Sequence, residues 1–300
     1  MAPPRVMDAA DRAAVAAELR AVRLAVAERY PTPIFDVRVQ PGGVSGVVGV
    51  SAQADLVRAR LGSRWPAIDV RLTVLAERRP RRGLWPLGAP LDVWRDHPGG
   101  DGRGGERATE LLAGDPPALL LAVRGGACLV RAPGAALGWV DRGASFRLGV
   151  PHSPADLGLA PVREGRSAGI WSWDALCAFV LAQRGRPYVW GATGGAGYDC
   201  SGLVWRAFAG VGLCLPRNSR GQRRCGERVA GPNVAAGDLA GAISRRRRLS
   251  HVALALDAGS VVHACSETGR VRVEPRETFE ARYQVLGWRR IGRPTSTAAA

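Results

Sequence analysis

Apolar residues keep a helical period through 8–29, where Val15, Leu19, Val22 and Val26 form one stripe that Pro31 ends. The period then shortens. Runs at 34–40 and 44–51 read as strands joined by Pro41, Gly42 and Gly43, and a helix at 54–61 and a strand at 68–75 complete a compact unit. Further strand-like runs at 91–95, 108–112, 118–123, 128–132 and 138–140 recur at turn-rich spacing and predict a small barrel. Helical spacing returns at 171–184, where Leu176, Phe179 and Val180 share a face and Gly185 with Pro187 ends it. Another apolar face, made of Leu203, Val204, Ala207, Phe208 and Val211, predicts a helix that opens at Cys200. Runs at 250–256, 260–264, 271–274 and 284–289 predict strands. The expected fold class is α+β, with helices gathered on one side of an antiparallel sheet, preceded by a small β-barrel and a small N-terminal module.

The punctuation between these blocks sets the expected organisation. It gives a small α+β module at 1–76, an Arg/Pro-rich joint at 77–83, a barrel at 84–150, a linker at 151–169 that runs into a domain at 165–293, and a disordered tail at 294–300. The Gly-rich stretch 96–105 reads as a loop, so His97 within it and His152 in the linker read as solvated residues rather than ligands.

The candidate chemistry centres on Cys200. A thiol at a helix N-terminus faces free backbone N–H groups and the positive end of the macrodipole, so it is expected to ionise below the ~8.5 of a free cysteine. An inert buried cysteine is the alternative. Two of the four histidines shift the balance, because His251 and His263 fall on strands joined by Asp257, Ala258 and Gly259. A three-residue hairpin loop with glycine in a left-handed last place pairs Leu256 with Ser260 and Ala253 with His263. His251 and His263 then share a face as diagonal neighbours, about 7–8 Å apart between backbones. A thiol, a histidine and a third polar group that orients it form the nucleophile, base and orienter of covalent catalysis.

These residues resemble a family. The segments YVWG, DCSG, LPRNS followed by Gln222, AAGDL, SHVAL and VVHA occur in the order seen in NlpC-type cysteine peptidases, papain-like enzymes that cut bacterial cell-wall peptides. The resemblance covers about 165–293. It implies Cys200 as nucleophile, His251 as general base, His263 as orienter and Tyr188 as support for the oxyanion site. In the γ-D-glutamyl-L-diamino acid endopeptidase branch it further implies that Asp199 and Ser201 hold the substrate's free amino group and backbone. The stretch from Glu106 to Asp115 and the Gly138-Trp139-Val140 ending resemble a bacterial SH3-like barrel. In such relatives an aromatic residue precedes the Gly-Trp pair and helps to hold the amine. Here Ala135, Ala136 and Leu137 stand there, and Glu106 is the substitute contact. The first module weakly resembles BON-type modules of bacterial envelope proteins.

Composition bounds the remainder. The net charge is +16, but the basic residues are all arginines spread along the chain, so no nucleic-acid partner is expected. The one tight run, Arg245 to Arg248, reads as a solvated loop or as a cationic rim for carboxylate-bearing stem peptides. Six cysteines include no CxxC pair and no zinc-ligand spacing, so neither a metal nor another cofactor is expected. No apolar segment long enough to span a membrane and no signal peptide are recognisable, which makes a cytoplasmic setting the expectation. Trp171, Trp173, Trp190 and Trp205 read as core before they read as a substrate wall. The expected partners are peptidoglycan stem peptides or muropeptides. Two alternatives share these residues: a papain-like acyltransferase or amidase acting on another substrate, and a non-catalytic wall-binding or nucleic-acid-binding protein.

Overall fold

The computed structural model describes residues 7–29, 35–75, 82–96, 105–150, 160–161 and 170–295. The chain divides into two compact units, Met1–Pro80 and Arg81–Ala300. His97, His152, Pro31, most of the 77–83 joint and most of the 151–169 linker lie outside the described residues.

In the first unit, α1 (Ala9–Arg29) precedes β1 (Phe35–Gln40), β2 (Gly43–Val48), α2 (Ser51–Gly62) and β3 (Asp69–Val74). β1 and β2 form an antiparallel hairpin, whereas β2 and β3 run parallel, so α2 supplies the crossover that parallel neighbours need. The α1 stripe of Val15, Leu19, Val22 and Val26 shares a core with Val44, Val57 and Leu61. α2 starts earlier than its apolar pattern suggests, because buried Gln53 accepts hydrogen bonds from the N–H groups of Gly49 and Val50 and closes the first turn.

The second unit begins with β4 (Gly83–Pro86), β5 (Leu91–Trp94), β6 (Arg107–Leu111), β7 (Ala118–Arg124), β8 (Ala127–Arg131), β9 (Leu137–Asp141) and β10 (Phe146–Gly149). These pair in the order β10-β4-β7-β8-β9-β5-β6. Leu84, Leu91, Leu111, Val130 and Val140 come from strands far apart in that order and still share one core, so the sheet wraps around its own interior.

The rest of the unit comprises β11 (Ala160–Pro161), β12 (Ile170–Ser172), α3 (Trp173–Ala182), α4 (Cys200–Gly210), β13 (Leu213–Cys214), α5 (Ser219–Gln222), β14 (Glu227–Val229), β15 (Leu239–Ser244), β16 (Ser250–Ala255), β17 (Ser260–Cys265), β18 (Arg270–Pro275), α6 (Arg276–Arg282), β19 (Tyr283–Arg290) and β20 (Arg293–Thr295). A six-stranded antiparallel sheet takes the order β14-β19-β15-β16-β17-β18. Two expectations change here. Helices cover both faces of this sheet: Val252, Leu254 and Val262 pack with α4, while Ala253, Ala255 and Val261 pack with Phe279 of α6. Consecutive residues of β16 and β17 are buried, and such strands need cover on each side. Pro294 and Thr295, expected as the first residues of a tail, instead lie in β20, which pairs in parallel with β12, and the Thr295 hydroxyl donates to the Trp171 carbonyl. Among the described residues no helix is long and apolar enough to cross a membrane.

Candidate active site

Asp199 starts α4. Its Oδ1 accepts from the Gly202 N–H at 2.5 Å, which satisfies a donor that the helix itself cannot, and Cys200 becomes the first helical residue. Glycine is required at 202 because a Cβ there would lie 2.1 Å from the Ala192 carbonyl oxygen. Leu203, Val204, Ala207 and Phe208 bury the helix against β16 and β17 and fix where the thiol points.

β16 and β17 pair at Leu254↔Val262 and Ala255↔Val261, with the Leu256 N–H donating to the Ser260 carbonyl. Beyond Leu254 the ladder stops. The Val252 N–H is thereby free of β17, and it and the Ser201 N–H are directed at the Cys200 sulfur. The hairpin register is the one its loop length predicts, although Gly259 is not left-handed. Asp257 closes the turn instead, accepting from the Gly259 N–H and the Ser260 hydroxyl, each at 2.7 Å.

His251 and His263 meet as diagonal neighbours, with Nε2 of His251 and Nδ1 of His263 2.8 Å apart. Both are buried on the α6 face of the sheet. The Tyr283 ring stacks on His251 with centroids 4.4 Å apart, and Phe279 meets His263 edge-on at 5.3 Å. The line continues: His263 Nε2 lies 2.8 Å from Glu274 Oε1 on β18, and Glu274 Oε2 takes Arg272 at 3.3 Å and Arg282. Glu274 has no counterpart among the sequence-derived site residues. Its signal was the register of a third strand, because His263 pairs with Arg272 and Val261 with Glu274.

Burial sets the charges. Desolvation, seconded by Asp199, pushes the Cys200 thiol up to about 12, against the pull of the Val252 and Ser201 N–H groups and of Arg217. The expectation of a lowered thiol is therefore corrected: at this buried position desolvation outweighs the helix dipole. Desolvation also holds His251 well below its ordinary value, with the neighbouring His263 and Arg282 acting in the same direction. His263 is lowered too, mainly by burial, with Glu274 opposing. The resting pair is thus a thiol and a neutral imidazole. Tyr188 packs beside this core and feels the charges of Cys200, Asp199, Arg217 and Arg247. Burial raises its hydroxyl so that it remains a donor.

Asp199 and Ser201 are held in a buried network around Arg217. Arg217, itself buried, donates to Asp199 Oδ1 and Oδ2 at 3.0 and 2.7 Å and to the Ser201 hydroxyl at 3.0 Å, while the Gly191 N–H takes Asp199 Oδ2 at 2.9 Å. Ser201 Oγ donates to Asp199, and its carbonyl accepts from Gln222 Nε2 at 2.8 Å. Glu106 is ion-paired with Arg95 at 2.9 Å. Asp199 and Glu106, both expected to contact a free amine, are therefore each matched to a guanidinium.

The seven-stranded sheet reaches the site through other residues. The Thr109 hydroxyl accepts from Arg217 Nε at 2.8 Å, linking β6 to the Asp199 cap. Buried Glu110 Oε1 accepts from the N–H groups of Thr193 and Gly195 at 2.6 and 2.8 Å, and Arg206 pairs with buried Asp115. Arg107 donates to the Trp190 carbonyl at 2.9 and 3.1 Å. Trp171 and Trp205 are core, Trp173 is partly buried and packs against it, and Trp190 is exposed.

A thiol at the N-terminus of a helix packed on the same antiparallel sheet that carries a buried histidine pair supplies the residue types that acyl transfer needs. Residues 185–290 match the NlpC/P60 family, and the chain carries an NlpC/P60 domain there. A probable endopeptidase of Mycobacterium tuberculosis is 32% identical over 130 residues, 43% of this chain and 33% of the relative. The peptidoglycan endopeptidase RipA of the same organism is 31% identical over 143 residues, 43% of this chain and 29% of RipA. The solved structure of the peptidoglycan hydrolase RipB from Mycobacterium tuberculosis is 32% identical, covers 40% of this chain and 65% of that chain, and has a TM-score of 0.34. The chain thus spans about a third of the length of the curated relatives it matches, 33% and 29% for the two described.

Proposed function

We propose that this protein is a cysteine endopeptidase that hydrolyses γ-D-glutamyl-diamino acid bonds in peptidoglycan-derived stem peptides, with Cys200 as nucleophile, His251 as general base and His263 as its orienter. The observation that carries the reading is the Cys200 sulfur at the Val252 N–H, one residue along the strand from a histidine whose Nε2 is tied to His263 at 2.8 Å. The NlpC/P60 domain and relatives named peptidoglycan endopeptidases support the substrate class.

Because thiol and imidazole are both neutral at rest, proton transfer accompanies attack. The thiol proton passes to His251 as sulfur bonds to the amide carbonyl carbon, and the carbonyl oxygen becomes an oxyanion facing the Cys200 backbone N–H and the Tyr188 hydroxyl. Each preorganised donor of this kind is worth on the order of 3 kcal/mol. The imidazolium then protonates the leaving amine as the C–N bond breaks. Water, deprotonated by His251, attacks the thioester and releases the thiol. In this reading the seven-stranded sheet is an SH3-like barrel that braces the 190–197 loop through Arg107 and Glu110, and exposed Trp190 lines the substrate's approach. Asp199 and Ser201 contribute through Arg217 as the cap of the nucleophile helix rather than as ligands of a free amine.

Mass spectrometry after incubation with L-Ala-γ-D-Glu-diaminopimelate peptides tests the proposal. Wild type is expected to release L-Ala-γ-D-Glu, and folded Cys200→Ala to release none. No cleavage by folded wild type, or equal cleavage by Cys200→Ala, overturns it.

A further inference from the structure

We infer that Glu274 is a positioning residue that fixes the proton arrangement of both histidines and so makes Nδ1 of His251 the basic atom; this rests on the reading of His251 as the base. His251, His263 and Glu274 stand on three successive strands, each diagonal to the next, with both gaps 2.8 Å. An ionised carboxylate only accepts, so the proton of His263 must sit on Nε2, the nitrogen facing Glu274 Oε1. Neutral His263 then offers a lone pair at Nδ1. The proton between the rings therefore belongs to His251 Nε2, and Nδ1 of His251 keeps its lone pair. With no acceptor behind His263, the opposite arrangement becomes available: Nδ1–H of His263 donates to Nε2 of His251, and His251 carries its proton on Nδ1. That tautomer cannot take a proton at that atom.

The surroundings keep the carboxylate charged. Arg272 from its own strand and Arg282 from α6 both face Oε2, leaving Oε1 to His263. These partners hold Glu274 below the usual carboxylate range against the desolvation that opposes them. His251 is faced by His263, the Tyr283 and Phe279 rings and the charge of Arg282. When His251 gains the thiol proton at Nδ1, both of its nitrogens carry hydrogen, and the new positive charge is balanced through His263 by Glu274. No proton has to leave the Glu274–His263 pair.

The experiment is nitrogen-15 spectroscopy of the imidazoles in the full chain, with kcat/KM on a γ-D-glutamyl-diaminopimelate peptide measured beside it. In wild type at pH 7.5 to 8 (about one unit above an ordinary histidine), both rings are expected as the Nε2–H tautomer. Glu274→Gln can still accept through its amide oxygen. It should keep these tautomers, lower kcat/KM by about tenfold and move the acid limb of the rate profile to lower pH, because the imidazolium loses its counter-charge. Glu274→Leu should give mixed tautomers and lose on the order of 10² or more. A wild-type His251 protonated on Nδ1 overturns the inference, as does folded Glu274→Leu with unchanged spectrum and rate. If the Glu274→Leu variant does not fold, the spectra of wild type and of Glu274→Gln decide. A wild type that cleaves no stem peptide counts against the endopeptidase reading, and the nitrogen spectra still decide the role of Glu274.

Discussion

Arg217 grips both carboxylate oxygens of Asp199, with Nη1 at 3.0 Å from Oδ1 and Nη2 at 2.7 Å from Oδ2. Both residues are buried, and the same guanidinium also serves Ser201 and Thr109. Removing one partner of such a pair strands the other charge, so Arg217→Met is expected to lose about 3–5 kcal/mol of stability. Lysine cannot reproduce the fork and should rescue little. Urea unfolding followed by the tryptophan signal of the Arg81–Ala300 unit checks this; a loss below about 1 kcal/mol would mean that the network is not holding the cap.

Cys200→Ser and His251→Ala are each expected to abolish turnover and leave near-ultraviolet dichroism unchanged, since α4 and β16 are held by apolar contacts of other residues. His263→Ala should lose on the order of 10²–10⁴ in kcat. His263→Asn should retain more, because an amide oxygen can still accept from His251. Equal losses in the two His263 variants would remove orientation as its role.

pH should act on rate and stability in the same direction. His251 and His263 ionise below their ordinary 6.5 in the folded chain. Below pH 6.5 the unfolded chain takes up protons that the folded chain refuses, so stability falls as pH falls from there. Glu274, depressed from 4.5, adds a further loss as pH drops through its folded value. Cys200 has the opposite sign. Its folded thiol keeps its proton to about 12 while the unfolded one loses it near 9.0, so its contribution is present below pH 9.0 and lost above it. Thermal melts should peak between about pH 6.5 and 9, and the acid limb of kcat/KM should lie below 6.5. A limb above pH 7 would mean that the base is not His251 in this environment.

Arg245 to Arg248 are exposed and turn between β15 and β16, and the charge of Arg247 is felt at Tyr188. Stem peptides carry free carboxylates, so this rim should speed their encounter. Replacing the four arginines with glutamine is expected to lower kcat/KM several-fold at low salt and flatten its salt dependence. Unchanged kinetics across ionic strength would leave the run as a solvated loop.

Much of this arrangement was legible in the sequence where one local rule was enough. Loop length alone fixed the register that brings His251 to His263, even though Asp257, and not a left-handed Gly259, closes the turn. The apolar face of Leu203, Val204, Ala207 and Phe208 placed the start of α4 at Cys200. What needed a third partner was hidden. Glu274 depends on the pairing of β17 with β18, and the raised thiol depends on how thoroughly α4, Tyr188 and β16 exclude water. The substrate roles of Asp199 and Glu106 assumed bare carboxylates, and Arg217 and Arg95 arrive from segments whose approach no periodicity reveals. The same holds for Glu110 and Asp115, whose partners lie 83 and 91 residues away.

The parting of β16 from β17 beyond Leu254 turns one peptide group into a built-in sensor. The Val252 N–H has lost its neighbour across the ladder and faces sulfur instead, so its proton resonance reports the chemical state of Cys200 directly. Ionisation, acylation and alkylation of the thiol would each shift that single signal by a different amount, and a covalent intermediate could be followed in real time without any chromophore in the peptide.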